Sequence, residues 1–150
     1  MKWLITLFAL VTVSFSQAPS AGQIKEVLEY YKTGSEVVLV ENILCLEVAK
    51  SGEEKNNCVR SKESKQLAKG EKALFWMNFF IPKKAGKDVL VEFQYKGKTR
   101  KSKEYEVATS QRYRTWTGLP TNKVGMWTVR IEQESTGQLI QELSYEVIQP

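Results

Sequence analysis

The sequence predicts an all-β fold: an immunoglobulin-like antiparallel β-sandwich of about seven strands, preceded by a short N-terminal helix. Three observations carry this prediction. From Glu36 onward the chain breaks into short runs rich in Val, Ile, Phe, Tyr and Trp, separated by clusters of Gly, Asn, Pro and Ser. Several of these runs alternate apolar and polar residues with the period of two that gives a strand one wet face and one dry face. The segment that would fold is about 130 residues long, enough for one domain with its own core.

The elements follow in order. The chain opens MKWLITLFALVTVSFSQAPSAGQ, in which Lys2 precedes an apolar run from Trp3 to Val13 and small or polar residues follow as far as Ala21. This is the layout of a secretory signal peptide, assigned to residues 1–21. The run is shorter than the roughly 20 apolar residues a membrane-spanning helix needs, so the mature chain is expected to carry no transmembrane segment. Cleavage after Ser16, Ala18, Ser20 or Ala21 would each leave a small residue at the cut. The expected location is exported, periplasmic or secreted.

Residues 22–35 read as a short amphipathic helix or lead-in. Ile24, Val27, Leu28 and Tyr31 fall at i, i+3, i+4 and i+7, and Gly34 stands where a helix would stop. Residues 36–150 form the sandwich domain, with strands expected near 36–48, 72–81, 88–96, 99–107, 112–117, 125–133 and 138–148. RSKESKQLAKGEK, residues 60–72, is polar and reads as a loop. In DVLVEFQY the set Val89, Val91, Phe93 and Tyr95 faces one side. In MWTVRIE the inward set is Trp127, Val129 and Ile131. ALFWMNFFI is apolar on both faces, as suits a central strand or one whose outer face is covered by the helix.

Cys45 and Cys58 are the only cysteines. In an exported chain, an even count flanking a polar loop reads as a structural disulfide. A redox pair would be spaced C-x-x-C, and a zinc site would need further Cys or His ligands that the chain lacks.

Charge and composition narrow the function classes. The formal charge is +5, from 22 basic and 17 acidic residues; losing residues 1–21 removes only Lys2, leaving 21 against 17, or +4. A balance this mildly basic permits anion binding without requiring it. The chain has no histidine, which removes Ser-His-Asp and Cys-His catalysis and the commonest metal ligand. Paired carboxylates remain at Glu53–Glu54 and Glu104–Glu106, where solvated surface charge is the plainer reading and a carboxylate hydrolase the alternative. No enzyme activity, cofactor or metal is expected.

Two surfaces are candidates for binding. Eight basic residues stand between Pro82 and Lys103 against two acids, Asp88 and Glu92. Gly97 marks a hairpin tip, so Lys96, Lys98, Arg100, Lys101 and Lys103 should cluster near one end of the sandwich. Such a cluster suits phosphate or sulfate groups on a polymer or lipid; otherwise its lysines only protect an edge strand from pairing. The second surface is a ledge of Arg114 and Trp116, which alternate outward on one strand and could hold a sugar ring or peptide, unless the tryptophan packs in the core.

The ordered segments LVENILCLEVAKSGEEKNNC, ALFWMNFFIP, VLVEFQYKGKTRKSKEYEV, RYRTWTGLP, VGMWTVRIEQESTGQLI and LSYEV resemble the domain-of-unknown-function family numbered 2914. The resemblance spans roughly residues 38–148. Its most specific elements are Arg114 with Trp116, Pro120 in the following turn, Gly125 with Trp127, and Gly137 before the last strand. It implies a bacterial envelope setting and a sandwich-like fold, and it carries over no catalytic residue.

The expected function is therefore a non-catalytic exported binding module of the cell envelope that recognises a protein or glycan component. The alternative is a binder of polyanions or lipid head groups through the basic hairpin 96–103. An envelope protein or an anionic glycan or lipid is the expected partner, and no nucleic acid is.

Overall fold

The computed structural model describes residues 18–150. The leader assigned to residues 1–21 falls almost wholly on residues 1–17, outside the described residues. What is described of it, Ala18 to Ala21, leads directly into α1 (Ala21–Thr33). Ser20 caps that helix: its hydroxyl accepts from the Gln23 N–H at 3.2 Å, and its own N–H donates to the Gln23 side chain at 2.8 Å. This reciprocal pair satisfies two donors at the helix start. A cut after Ser20 or Ala21 would remove the cap, whereas a cut after Ser16 or Ala18 would keep it.

Nine strands follow, two more than the sequence predicts. β1 (Val38–Val48), β2 (Cys58–Ser61), β4 (Leu74–Ile81) and β7 (Ser110–Gly118) form one sheet in the order β2-β1-β4-β7. β3 (Gln66–Ala68), β5 (Asp88–Tyr95), β6 (Lys98–Glu106), β8 (Gly125–Gln133) and β9 (Gln138–Ile148) form the other, in the order β3-β9-β8-β5-β6. All pairings are antiparallel except β3 with β9, which is parallel.

The unpredicted strands are β2 and β3, and β3 lies inside the polar stretch expected to be a loop. Its three residues carry one large apolar side chain, Leu67, which is fully buried. So short a strand has no period to read. It exists because β9 offers a free edge at Glu146, Val147 and Ile148, and because Glu71 holds the segment: its carboxylate takes the Lys62 ammonium at 2.6 Å and the Ala68 N–H at 2.8 Å.

The inner faces are those the alternation predicts. Val89, Val91, Phe93, Trp127, Val129 and Ile131 join Phe75, Met77, Phe79, Ile81, Tyr145 and Val147 in one core between the sheets. Burying each such side chain contributes about 1.5–3 kcal/mol, which is what orders the two layers. β4 is apolar on both faces for both expected reasons. It is central, and its outer side chains are covered, Trp76 by the loop after β1 and Phe80 by α1.

The helix docks by its C-terminal end alone. Tyr30 and Tyr31 meet the Phe80 ring at 6.1 and 5.5 Å, and the Tyr31 carbonyl accepts from the Lys83 N–H at 2.9 Å. Ile24, Val27 and Leu28, on the apolar stripe of the helix, remain 46, 53 and 43 % exposed.

Candidate functional site: a basic groove at one end of the sandwich

The β5–β6 hairpin turns through Lys96 and Gly97, both at positive φ (51° and 71°). This two-residue geometry matches the strand twist and sets the register of the basic strand. β6 is the edge of its sheet, and it overhangs β7, the edge of the other. Two of its side chains stitch that gap: the Tyr105 hydroxyl donates to the Trp116 carbonyl at 3.1 Å, and the Lys101 ammonium donates to the Gly118 carbonyl. Burial pushes the Tyr105 hydroxyl pKa up. Burial first, and the neighbouring Lys103 charge second, push the Lys101 ammonium down from the usual lysine range.

Between β6 and the loop that joins β7 to β8 lies an open groove of about 560 Å³. Arg100, Lys101 and Lys123 supply its charge, and Leu119, Pro120 and Trp127 its apolar wall. The loop is held from several sides. Tyr145 donates to the Pro120 carbonyl at 2.7 Å, the Trp127 indole to Lys123 at 2.9 Å, and Tyr95 to Val124 at 2.8 Å. The Thr121 hydroxyl reaches the Glu71 carbonyl at 2.9 Å. Gly125, at φ 123°, ends the loop; any side chain there would be strained and would sit against the Tyr95 ring.

Among the described residues, the ion pairs are Arg60–Glu47, Lys62–Glu71, Arg130–Glu132 and Arg130–Glu142. Arg100, Lys101 and Lys123 belong to none of them. The groove thus gathers positive charge without an internal carboxylate, the arrangement that attracts an external anion.

The five hairpin cations named from the sequence separate. Arg100 and Lys101 line the groove. Lys96 lies over the Tyr95 ring at 5.6 Å, and Lys103 over Tyr105 at 5.0 Å. Lys98 is exposed opposite Tyr95 in the hairpin. Lys123 was missed, and no local signal marks it. It reaches the groove because β8 pairs with β5, placing Trp127 opposite Tyr95, and its ammonium lies 5.6 Å from the Tyr95 centroid.

Arg114 and Trp116 face outward on β7, away from the groove. Cys45 and Cys58 are joined in a disulfide linking β1 to β2, with Cα atoms 5.8 Å apart. Trp76, Trp116, Ile43 and Leu74 pack around it. The loop closed by this bridge folds over the sheet: the Trp76 indole donates to the Asn56 carbonyl at 2.8 Å, while Arg112, at 3.3 Å, and Arg114 both donate to the Asn57 side chain. Trp116 keeps part of its ring in a separate depression of about 530 Å³ lined by Leu46 to Lys50 and Leu74. Glu53, Glu54, Glu104 and Glu106 are all exposed, the opposite of the buried setting that tunes carboxylates for acid–base work.

Among the described residues, no helix is long and apolar enough to cross a membrane. No curated protein matches the chain. Residues 86–147 match the model of the family described as "Protein of unknown function (DUF2914)". The match is shorter than the resemblance over 38–148 read from the sequence. It takes in β5 to β9, and with them Arg100, Lys101, Lys123 and the whole β7–β8 loop; the helix, β1 to β4 and the disulfide lie outside it. Over residues 86–147, the family match supports the resemblance to DUF2914 read from the sequence.

Proposed function

We propose that the protein is a non-catalytic, exported binding module of the bacterial cell envelope, and that it recognises an anionic envelope component at the basic end of the sandwich. The observation that carries this reading is the groove: Arg100 and Lys101 of β6, and Lys123 of a loop pinned by side chains from β5, β8 and β9, line it without an acidic partner. Donors held in place before a ligand arrives lose little freedom on binding. The Cys45–Cys58 bridge supports an oxidising, extracytoplasmic compartment.

The strand order supports an immunoglobulin-like description of the fold. β1, β4 and β7 take the places of strands A, B and E in such a sandwich, and β9, β8, β5 and β6 those of G, F, C and C′. Loops at the ends of this architecture are its customary binding surfaces.

A second reading, a protein partner added to a sheet edge, draws on β1. Its first residues have no strand beside them opposite β4, and Val38 and Val40 are 40 and 59 % exposed. The bulge between Leu39 and Glu41 counts against it, because a bulge and an edge charge both blunt strand addition.

The test is capture of lipids and glycans from a bacterial envelope extract by the tagged protein, beside the double variant Arg100→Glu/Lys123→Glu. The native protein should retain a component that elutes as salt rises, since exposed charge pairs are screened over about 10 Å at 0.1 M. The variant should lose it. Equal retention by both would move the site to the β1 edge or the Trp116 depression.

A further inference from the structure

The β7–β8 loop presents its backbone unevenly. Carbonyl oxygens of Gly118, Pro120, Thr121, Lys123 and Val124 each accept a hydrogen bond, from Lys101, Tyr145, the Gly70 N–H, Trp127 and Tyr95. The N–H groups of Thr121, Asn122 and Lys123 meet no acceptor among the described residues. Backbone donors are obligatory hydrogen-bonding groups, so a loop in which most carbonyls are taken and three successive N–H groups are not has capacity for an acceptor. Consecutive backbone N–H groups in a bend make a concavity suited to an anion.

The same loop carries Lys123 and faces Arg100 across the groove. Lys101 is tied to the loop's own Gly118 carbonyl, so it fixes the groove's width while adding its charge. Lys96, which shares the Tyr95 ring with Lys123, and Lys103, over Tyr105, are not among the lining residues of the groove. A long polyanion wants a track of cations. Here they converge on one place.

We propose that the groove seats a single tetrahedral oxyanion, a phosphate or sulfate ester carried by a sugar or a lipid head group, between Arg100, Lys123 and the N–H groups of residues 121–123. This deepens the reading of the basic end as the binding site and rests on it. A tetrahedral group presents oxygens in several directions at once, which matches donors arriving from β6, from the loop side chain and from the loop backbone. A guanidinium can take two of those oxygens together. Leu119, Pro120 and Trp127 form an apolar wall for the body that carries the ester, and about 560 Å³ holds a sugar-sized body as well as the anion.

The experiment is an amide ¹⁵N–¹H titration of the full protein with inorganic phosphate, repeated with sulfate and with acetate. Phosphate and sulfate should move the Thr121, Asn122 and Lys123 amides to saturation, and acetate should not. Arg100→Gln and Lys123→Gln should each weaken the response about tenfold, the scale of one hydrogen bond to a charged group, and Lys55→Gln, in the exposed disulfide loop outside the groove lining, should leave it unchanged. Competition by glucose 1-phosphate and by phosphatidic acid in phosphatidylcholine vesicles then separates the carriers. Unsaturable shifts spread along β6, or an equal response to acetate, would overturn the oxyanion seat. If the extract capture still depends on Arg100 and Lys123 in that case, the basic end remains the binding site with a different ligand. If the capture fails as well, both readings fall.

Discussion

Two faces of this molecule gather arginine, lysine and tryptophan, and they use them differently. On the outer face of the β2-β1-β4-β7 sheet, Arg112 and Arg114 donate to Asn57, Trp76 donates to Asn56, and Trp116 packs beside the Cys45–Cys58 bridge. At the basic end, Arg100 and Lys123 have no carboxylate partner, and Tyr95, Trp127 and Tyr145 give their hydrogen bonds to carbonyls of the loop. From the sequence the two surfaces look alike. The difference lies in which donors the protein itself has already matched, so the outer face is read as construction and the groove as capacity.

Three perturbations would break or sharpen this contrast. The largest effect is expected from Trp76→Ala, which empties the centre of the outer cluster and frees the Asn56 carbonyl. It should cost about 3–5 kcal/mol of stability, measured by urea denaturation, and leave phosphate titration of the groove unchanged in whatever fraction stays folded. A groove that lost its response in that folded fraction would mean the two regions are coupled.

Cys45→Ser with Cys58→Ser comes next. Opening a bridge of sequence separation 13 should remove about 3 kcal/mol, and the loop over Trp76 and Arg114 should become a protease-sensitive segment. Unchanged stability and unchanged cleavage would show that Asn56 and Asn57 hold the clasp without the bridge.

The smallest effect concerns Glu71, whose carboxyl is held below its usual range first by the hydrogen bond from Lys62 and then by the Ala68 N–H. A lowered pKa in the folded state stabilises the protein above the unfolded carboxylate range, and that stabilisation is lost as pH falls through the folded value. Native protein should therefore exceed Lys62→Gln by about 1 kcal/mol near neutral pH, with the gap closing on acidification. A gap independent of pH would assign Lys62 a packing role instead.

What the sequence made legible was whatever has a local period. The faces of β5 and β8 could be read because Val89, Val91 and Phe93, and Trp127, Val129 and Ile131, recur at every second position. The hairpin that carries Arg100 and Lys101 could be read from Gly97. β3 could not, because Leu67 is buried by a partner strand 80 residues later in the chain, not by anything in its own neighbourhood. Lys123 was hidden for a similar reason: only the pairing of β5 with β8 brings it to the groove. The outward direction of Arg114 followed from alternation, but its partner Asn57 lies 57 positions away, inside a loop whose path over the sheet no short pattern encodes.

The parallel pairing of β3 with β9 also sets an order of events. Gln66, Leu67 and Ala68 can find Glu146, Val147 and Ile148 only when nearly the whole domain is present, and Tyr145 supplies the bond that fixes Pro120. Contacts so distant along the chain are slow to close, because the intervening loop must be ordered before they reward it. A nascent chain that ends before β9 would leave β8 with a bare edge, Leu67 without its cover and the groove loop untied. Such a chain would be recognisable as unfinished by its exposed strand edges alone, and the basic end of the molecule would be the last part to mature.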